Sequence, residues 1–372
     1  MRPLERDTQA YLLLSLIAVS GELPASQVSR LVPSASYQEK LLTSLRDKKL
    51  LRTHCKDKLW GHRLTAQAKE LLLADSERRF AFYLTGGTDT NLLKSEVTRR
   101  LRLHRIAEAA VTMRNAGVSI YRDGKPDIFY PEGDIQAETF TVERAAFYNS
   151  REIKEASGEF AKIRGARPVG ILLTAKDAFI TYNTGNALMK WEYKSEMRTK
   201  AMLIHLLCHQ RLPHQYQMEN VCGLVLGADM ETAHQLLTST GGIKRSYFVL
   251  DGNYDHFLYF TNDHAGEVLL RLLCDPEKTA ELNGMLLDGL YPYDPAMVIE
   301  NDAVDEAGNP VLLAYFCDMP RLSRFVSGLA LHDKTGTLLC FDFQKEVLQR
   351  FCGERVQIQT IDLGKFERRF FP

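Results

Sequence analysis

The sequence predicts an α/β protein of several domains, and three observations carry that expectation. The first 75 residues follow the order helix, helix, turn, helix, charged hairpin, helix. From residue 143 onward, strand-like and helix-like segments alternate. The length of 372 residues exceeds what a single core usually organises.

The N-terminal elements follow from local chemistry. Asp7 or Thr8 can cap a helix carrying Tyr11, Leu12, Leu14, Leu16 and Ile17. Gly21 and Pro24 interrupt it, and Pro24 suits the first position of a short second helix ending near Val32. After the Pro33-Ser34 turn, Ser36 and Glu39 have capping-box spacing for a third helix with an apolar stripe of Tyr37, Leu41, Leu42 and Leu45. Two short apolar runs around Lys56, Asp57 and Lys58 then form a hairpin with a basic tip, followed by a fourth helix from Thr65. This is the order of a winged helix-turn-helix. A helix N-terminus and a basic loop brought together suit a duplex. The expected contacts are Ser36, Gln38 and Lys40 at the groove, with Arg52, Lys56, Lys58 and Arg63 on phosphates.

Charge is distributed unevenly. The 47 basic and 47 acidic side chains balance over the whole chain, but residues 1–115 hold 20 of the basic and only 12 of the acidic ones. A basic end on an acidic body is the asymmetry of a protein with one end on phosphate. Winged helices also serve as protein–protein modules, and that alternative stays open here. No apolar run has the length of a membrane span, and the N-terminus does not read as a signal peptide. Seven scattered cysteines without a CxxC pair suggest reduced thiols and a cytoplasmic location.

The expected domains are a winged helix over 1–75, a basic helix and connector over 76–142, an α/β core over 143–228, and a further α/β region over 229–372. The connector helix, 92–115, carries Lys94, Arg99, Arg100, Arg102, Arg105 and Arg114, which either extend the DNA surface or form a solvated face. The core reads as a helix over 143–163, strands over 169–174, 177–182 and 187–194, a helix from Glu196 to about His209, and a strand over 221–226. Gly and Asn in the segment 183–186 mark a hairpin turn. Beyond it come further helices and strands, with 275–310 expected to be loop-rich.

In that hairpin register Asp177 faces Glu192, and Lys194 shares their face. An aspartate followed on the next strand by Glu-x-Lys resembles the PD-(D/E)xK nuclease fold, a restriction-endonuclease-like mixed α/β core. The resemblance implies Mg²⁺ on Asp177 and Glu192, with Lys194 positioning water. Glu143, Glu152, Glu155 or Glu159 would supply a further acid. An ordinary charged hairpin face, its acids balanced by Lys190 and Lys194, explains the same residues.

Other motifs point to less. His205 and His209 have ligand spacing on a helix, with His214 nearby, but lack the metalloprotease Glu and a second pair. The glycines at 86–87 and 241–242 lack a P-loop lysine, and residues 251–255 lack the ligands of a calcium loop.

The order of a winged helix, a charged helix around His104, Arg105, Ile106 and Ala107, and a nuclease-like α/β core resembles the replication-relaxation family of plasmid and integrative-element proteins, and the segments 147–154 and 182–191 resemble proteins of mobile conjugative elements in Gram-positive bacteria. The resemblance spans about residues 8–230. It implies a DNA-binding accessory role in replication, relaxation or transfer, with double-stranded DNA and a relaxase or replication protein as partners and no membrane. A Mg²⁺-dependent nuclease and a winged-helix transcription regulator, the latter as a possible homodimer, are the alternatives.

Overall fold

The structure is a computed structural model that describes residues 5–85, 95–129, 140–156, 167–241, 247–292 and 298–372. Helix α1 (Gln9–Ser20) starts where the Thr8 hydroxyl accepts the Tyr11 N–H, and stops at Gly21, whose φ of 86° a side chain would resist. Strand β1 (Leu23–Pro24) follows, then a 3₁₀ turn, α2 (Val28–Leu31) and α3 (Ala35–Asp47). Pro24 therefore begins no helix; it pairs with Gly61 in a small sheet. Strands β2 (Leu51–Lys56) and β3 (Leu59–Leu64) complete that sheet in the order β1-β3-β2, all antiparallel. Helix α4 (Ala66–Asp75) is capped by Thr65. The result is a winged helix with a three-stranded wing sheet.

Helices α5 (Glu77–Leu84) and α6 (Val97–Asn115) pack on α1. That is why α1 is buried almost all round. The buried side of α6 includes Ile106, Ala109, Ala110 and Met113.

The second sheet starts with β4 (Ala146–Asn149), inside the segment expected to be helical; helix α7 (Ser150–Ala156) follows it. Strands β5 (Gly170–Leu173) and β6 (Ala178–Gly185) come next. Helix α8 (Tyr193–Ile204) then continues into a π-helical turn at His205–Arg211. Strand β7 (Val221–Gly227), helix α9 (Met230–Leu237) and strand β8 (Phe257–Thr261) close the unit. The strand order is β4-β5-β6-β7-β8, with β5 antiparallel to both neighbours and β6, β7 and β8 parallel. Both faces are buried, as a sheet with parallel crossovers requires. Phe147, Leu172, Phe179, Leu224 and Phe260 point into a core shared with α1 and α6. Tyr148, Ile171, Ile180, Val225 and Tyr259 point into a second core.

The expected hairpin at 183–186 does not form. Strand β6 already has β5 on one edge and β7 on the other, so segment 187–192 finds no free edge on which to pair. It runs as a loop whose Trp191 is buried against Phe248 and donates to Asp251 (2.6 Å).

A third sheet fills the C-terminal part. Helices α10 (His264–Leu273) and α11 (Pro276–Leu286) precede β9 (Tyr291–Pro292), β10 (Ala303–Val304) and β11 (Pro310–Leu313). Helix α11 lies where loop was expected: Pro276 occupies its first turn and Asp275 accepts the Lys278 N–H, so the proline starts this helix. Helix α12 (Met319–Leu331), β12 (Gly336–Phe341), α13 (Lys345–Cys352), β13 (Val356–Ile361) and α14 (Leu363–Phe370) follow. The strand order is β13-β12-β11-β10-β9, with β11, β12 and β13 parallel. Among the described residues no helix is long and apolar enough to cross a membrane.

Polar bonds tie the winged helix to the second sheet. The Asn183 amide donates to the Arg105 carbonyl and to Glu108 (both 2.9 Å), and Asn262 donates to Asn183 (3.1 Å). Thr112 donates to Asn262 (3.0 Å), and Arg30 of α2 donates to Thr112 (3.0 Å).

Candidate nucleic-acid interface

Helix α3 buries Leu41 and Leu45 and turns Ser36, Glu39, Lys40 and Thr43 to solvent. Its N-cap position is Ser34 rather than Ser36, so the capping box with Glu39 is not made. Tyr37, expected in the apolar stripe, is 47% exposed. The first follows from a helix that starts two residues earlier than Ser36 would place it. Tyr37 lies in the first turn, before the stripe reaches its buried residues Leu41 and Leu45. Gln38 is half-buried and its amide donates to the Val32 carbonyl (2.6 Å), so it fastens the turn before α3.

The wing is a two-residue turn between Lys56 and Leu59, which are paired across the hairpin. Asp57 and Lys58 have φ of 51° and 64°, the left-handed pair of a type I′ turn that matches strand twist. Lys40, Lys48, Lys49, Arg52, Lys56 and Lys58 are all exposed, and none makes an ion pair among the described residues. Three acids, Glu39, Asp47 and Asp57, are exposed on the same two elements.

Arg63 corrects the expectation. It is buried, not on the surface, and its guanidinium reaches Glu22 at 2.7 Å. Arg100 of α6 binds the other oxygen of Glu22 (2.6 Å), and His104 joins at 2.8 Å. Arg100 also donates to the carbonyls of Leu59 (2.9 Å) and His54 (3.2 Å), so α6 grips both wing strands. Burial alone would raise the Glu22 carboxyl. Hydrogen bonds from His104, Arg100 and Arg63 outweigh it and hold the group at about 2. Gly61 makes room for this cluster: a Cβ there would lie 2.1 Å from Glu22 Oε1. Sequence reasoning missed this cluster because its members lie on three segments far apart in the chain. The one local hint is an acid, Glu22, set beside a helix-ending glycine.

The expected nuclease residues are not brought together. Asp177 lies in the turn between β5 and β6 and accepts from Asn220 (3.2 Å). Glu192 is the residue before α8 and Lys194 lies in that helix's first turn; both are exposed. The face they were to share needed the absent hairpin. Set apart in this way, these residues do not fit a Mg²⁺ site. Glu152 is taken by a buried ion pair with Lys125 (2.8 Å), and Glu143 is exposed. The Glu155 side chain and Glu159 lie outside the described residues, as do Lys94 and the glycines at 86–87. His205 and His209 have ring centroids 5.8 Å apart, and His205 is bonded to Gln210 (3.1 Å).

Fold and surface together define a winged helix joined to a two-sheet α/β body. Set against family models, curated proteins and solved structures, the chain matches none.

Proposed function

We propose that this protein binds double-stranded DNA through α3 and the wing, as a cytoplasmic accessory protein of a plasmid or integrative conjugative element. Its role would lie in replication, DNA relaxation or transfer, beside a relaxase or replication protein; that part rests on the resemblance to the replication-relaxation family. The observation that carries DNA binding is the set of six exposed, unpaired cations on α3, the following turn and the wing. Six exposed cations against the three exposed acids Glu39, Asp47 and Asp57 leave a net positive helix-and-wing surface that suits phosphate contact. Ser36 and Lys40 are available at the groove, while Gln38 and Arg63 are engaged within the protein.

The test is fluorescence anisotropy of labelled duplexes, one carrying the element's transfer origin and one unrelated, across a salt series. Binding should weaken steeply with salt. Replacing Lys56 and Lys58 with Ala should lower the slope of log affinity against log salt by about 1.8, at ~0.9 for each phosphate no longer neutralised. An unchanged affinity and slope would remove the wing from the interface.

A further inference from the structure

A second feature lies between the wing and the body. A cleft of about 490 Å³ is lined by Leu59 and Trp60 of β3, Leu101 and Arg105 of α6, and Gly185 and Asn186 at the end of β6. It opens at the carboxyl end of a strand in the parallel part of the second sheet, the end at which open α/β sheets take ligands. Gly185 has φ of 66°, and a Cβ there would meet nothing within 4 Å. Trp60 is 56% exposed and Leu101 41% exposed.

Cations continue from this cleft. Arg102, Lys154 and Arg167 are exposed and Arg105 is half-exposed, and none forms an ion pair among the described residues. Burial lowers Arg102 and Arg105, and Arg167 adds to both; Glu108 offsets part of this at Arg105 and Glu196 part of it at Arg102. Lys154 keeps solvent contact yet is surrounded by protein. Desolvation first, and Arg102 second, push it down to about 8. Two acids lie close to this charge, and Glu108 lines the cleft itself. Glu108 is bonded to Asn183 and raised by burial. Glu196 is buried and raised to about 7, bonded to the Arg167 N–H and the Tyr182 hydroxyl. Four exposed or half-exposed cations against two carboxylates that are already hydrogen-bonded within the protein leave an excess of positive charge, which favours a polyanion.

We propose that this cleft holds a single strand of nucleic acid, with phosphates on Arg102, Arg105 and Arg167 and a base stacked on Trp60. An exposed aromatic ring beside a cationic track is the arrangement that binds single strands without reading sequence. The bases of a duplex, already stacked on one another, have no use for Trp60, whereas those of a single strand do. Lys58 at the wing tip also lines the cleft, whereas the duplex contacts Ser36, Lys40, Arg52 and Lys56 do not.

The test uses the two tryptophans of the full chain. Trp191 is buried against Phe248, so a quench on adding a single strand reports Trp60. The probe is oligo-deoxythymidine of about 15 nucleotides at low salt. We expect quenching in the wild type and none in Trp60→Phe, with anisotropy showing that Phe still binds. Trp60→Ala should bind on the order of tenfold more weakly. Arg102→Ala, Arg105→Ala and Arg167→Ala combined should weaken the single strand at least as much while changing duplex affinity less than about twofold. Lys40→Ala with Lys56→Ala, neither of which lines the cleft, should do the reverse. Should the triple variant fail to unfold cooperatively on heating, the single Arg102→Gln and Arg167→Gln variants replace it. No quench with the wild type, or single-strand affinity unchanged by these arginine variants, would overturn the proposal whether or not the duplex reading stands.

Discussion

The root and the tip of the wing use the same kinds of side chain for opposite ends. At the root, Arg63 and Arg100 are buried on Glu22 and hold β2 and β3 to α6. At the tip, Lys56 and Lys58 are exposed and unpaired. A cation on the wing is therefore structural or available according to whether a carboxylate lies within reach, not according to its strand. A buried charge that loses its partner is expensive, whereas an exposed one costs little to remove.

This comparison can be broken at the root first. Glu22→Ala leaves Arg100 buried and uncompensated and should cost about 3–5 kcal/mol in urea unfolding. Arg63 and Arg100 mutants that proved as stable as the wild type would show the cluster to be incidental. Gly61→Ala pushes a methyl group into the Glu22 carboxylate and should cost about 1–3 kcal/mol.

Acidity sharpens the contrast. The folded Glu22 carboxyl is held at about 2, below its ordinary value, so its contribution is complete above the unfolded pKa of about 4.5. It is lost as pH falls from there through about 2. Thermal melts of Glu22→Gln should lack that part of the wild type's acid destabilisation. Glu196 is the opposite case: equally buried, but with a backbone N–H and a tyrosine hydroxyl in place of cations, it is raised to about 7 chiefly by burial. Its ionisation costs stability as pH rises between about 4.5 and 7, and the cost is complete above that window. Glu196→Gln should therefore gain about 1–3 kcal/mol at pH 8 relative to pH 4. Equal stability changes at the two pH values would refute the shift.

The tip should show the smallest effect on folding. Lys56→Ala with Lys58→Ala should leave stability within about 0.5 kcal/mol while flattening the salt dependence of DNA binding. Glu192→Ala should change neither stability nor binding, and any nicking of supercoiled plasmid in Mg²⁺ should be the same in wild type and mutant. Nicking lost only in the mutant would restore the nuclease reading.

Much of the winged helix was legible because its signals are local. Thr8 and Thr65 cap helices from the adjacent residue, and the run from Lys56 to Leu59 makes its own turn. The exposed cations Lys40, Arg52, Lys56 and Lys58 could be read for the same reason. Arg63 could not, since its partner lies 41 residues earlier and the reinforcing Arg100 lies on α6. The second sheet misled at the segment 187–194, which alternates like a strand but has no edge to join.

By itself, the sequence determined the helix starts at Thr8 and Thr65, the stop at Gly21 and the two-residue wing turn, because each is settled by neighbours along the chain. Only the tertiary structure decided which strands pair, that Asn183 binds α6 instead of turning a hairpin, and which cations are spent on Glu22. Edge occupancy and the pairing of buried charges depend on groups that sequence separation does not reveal.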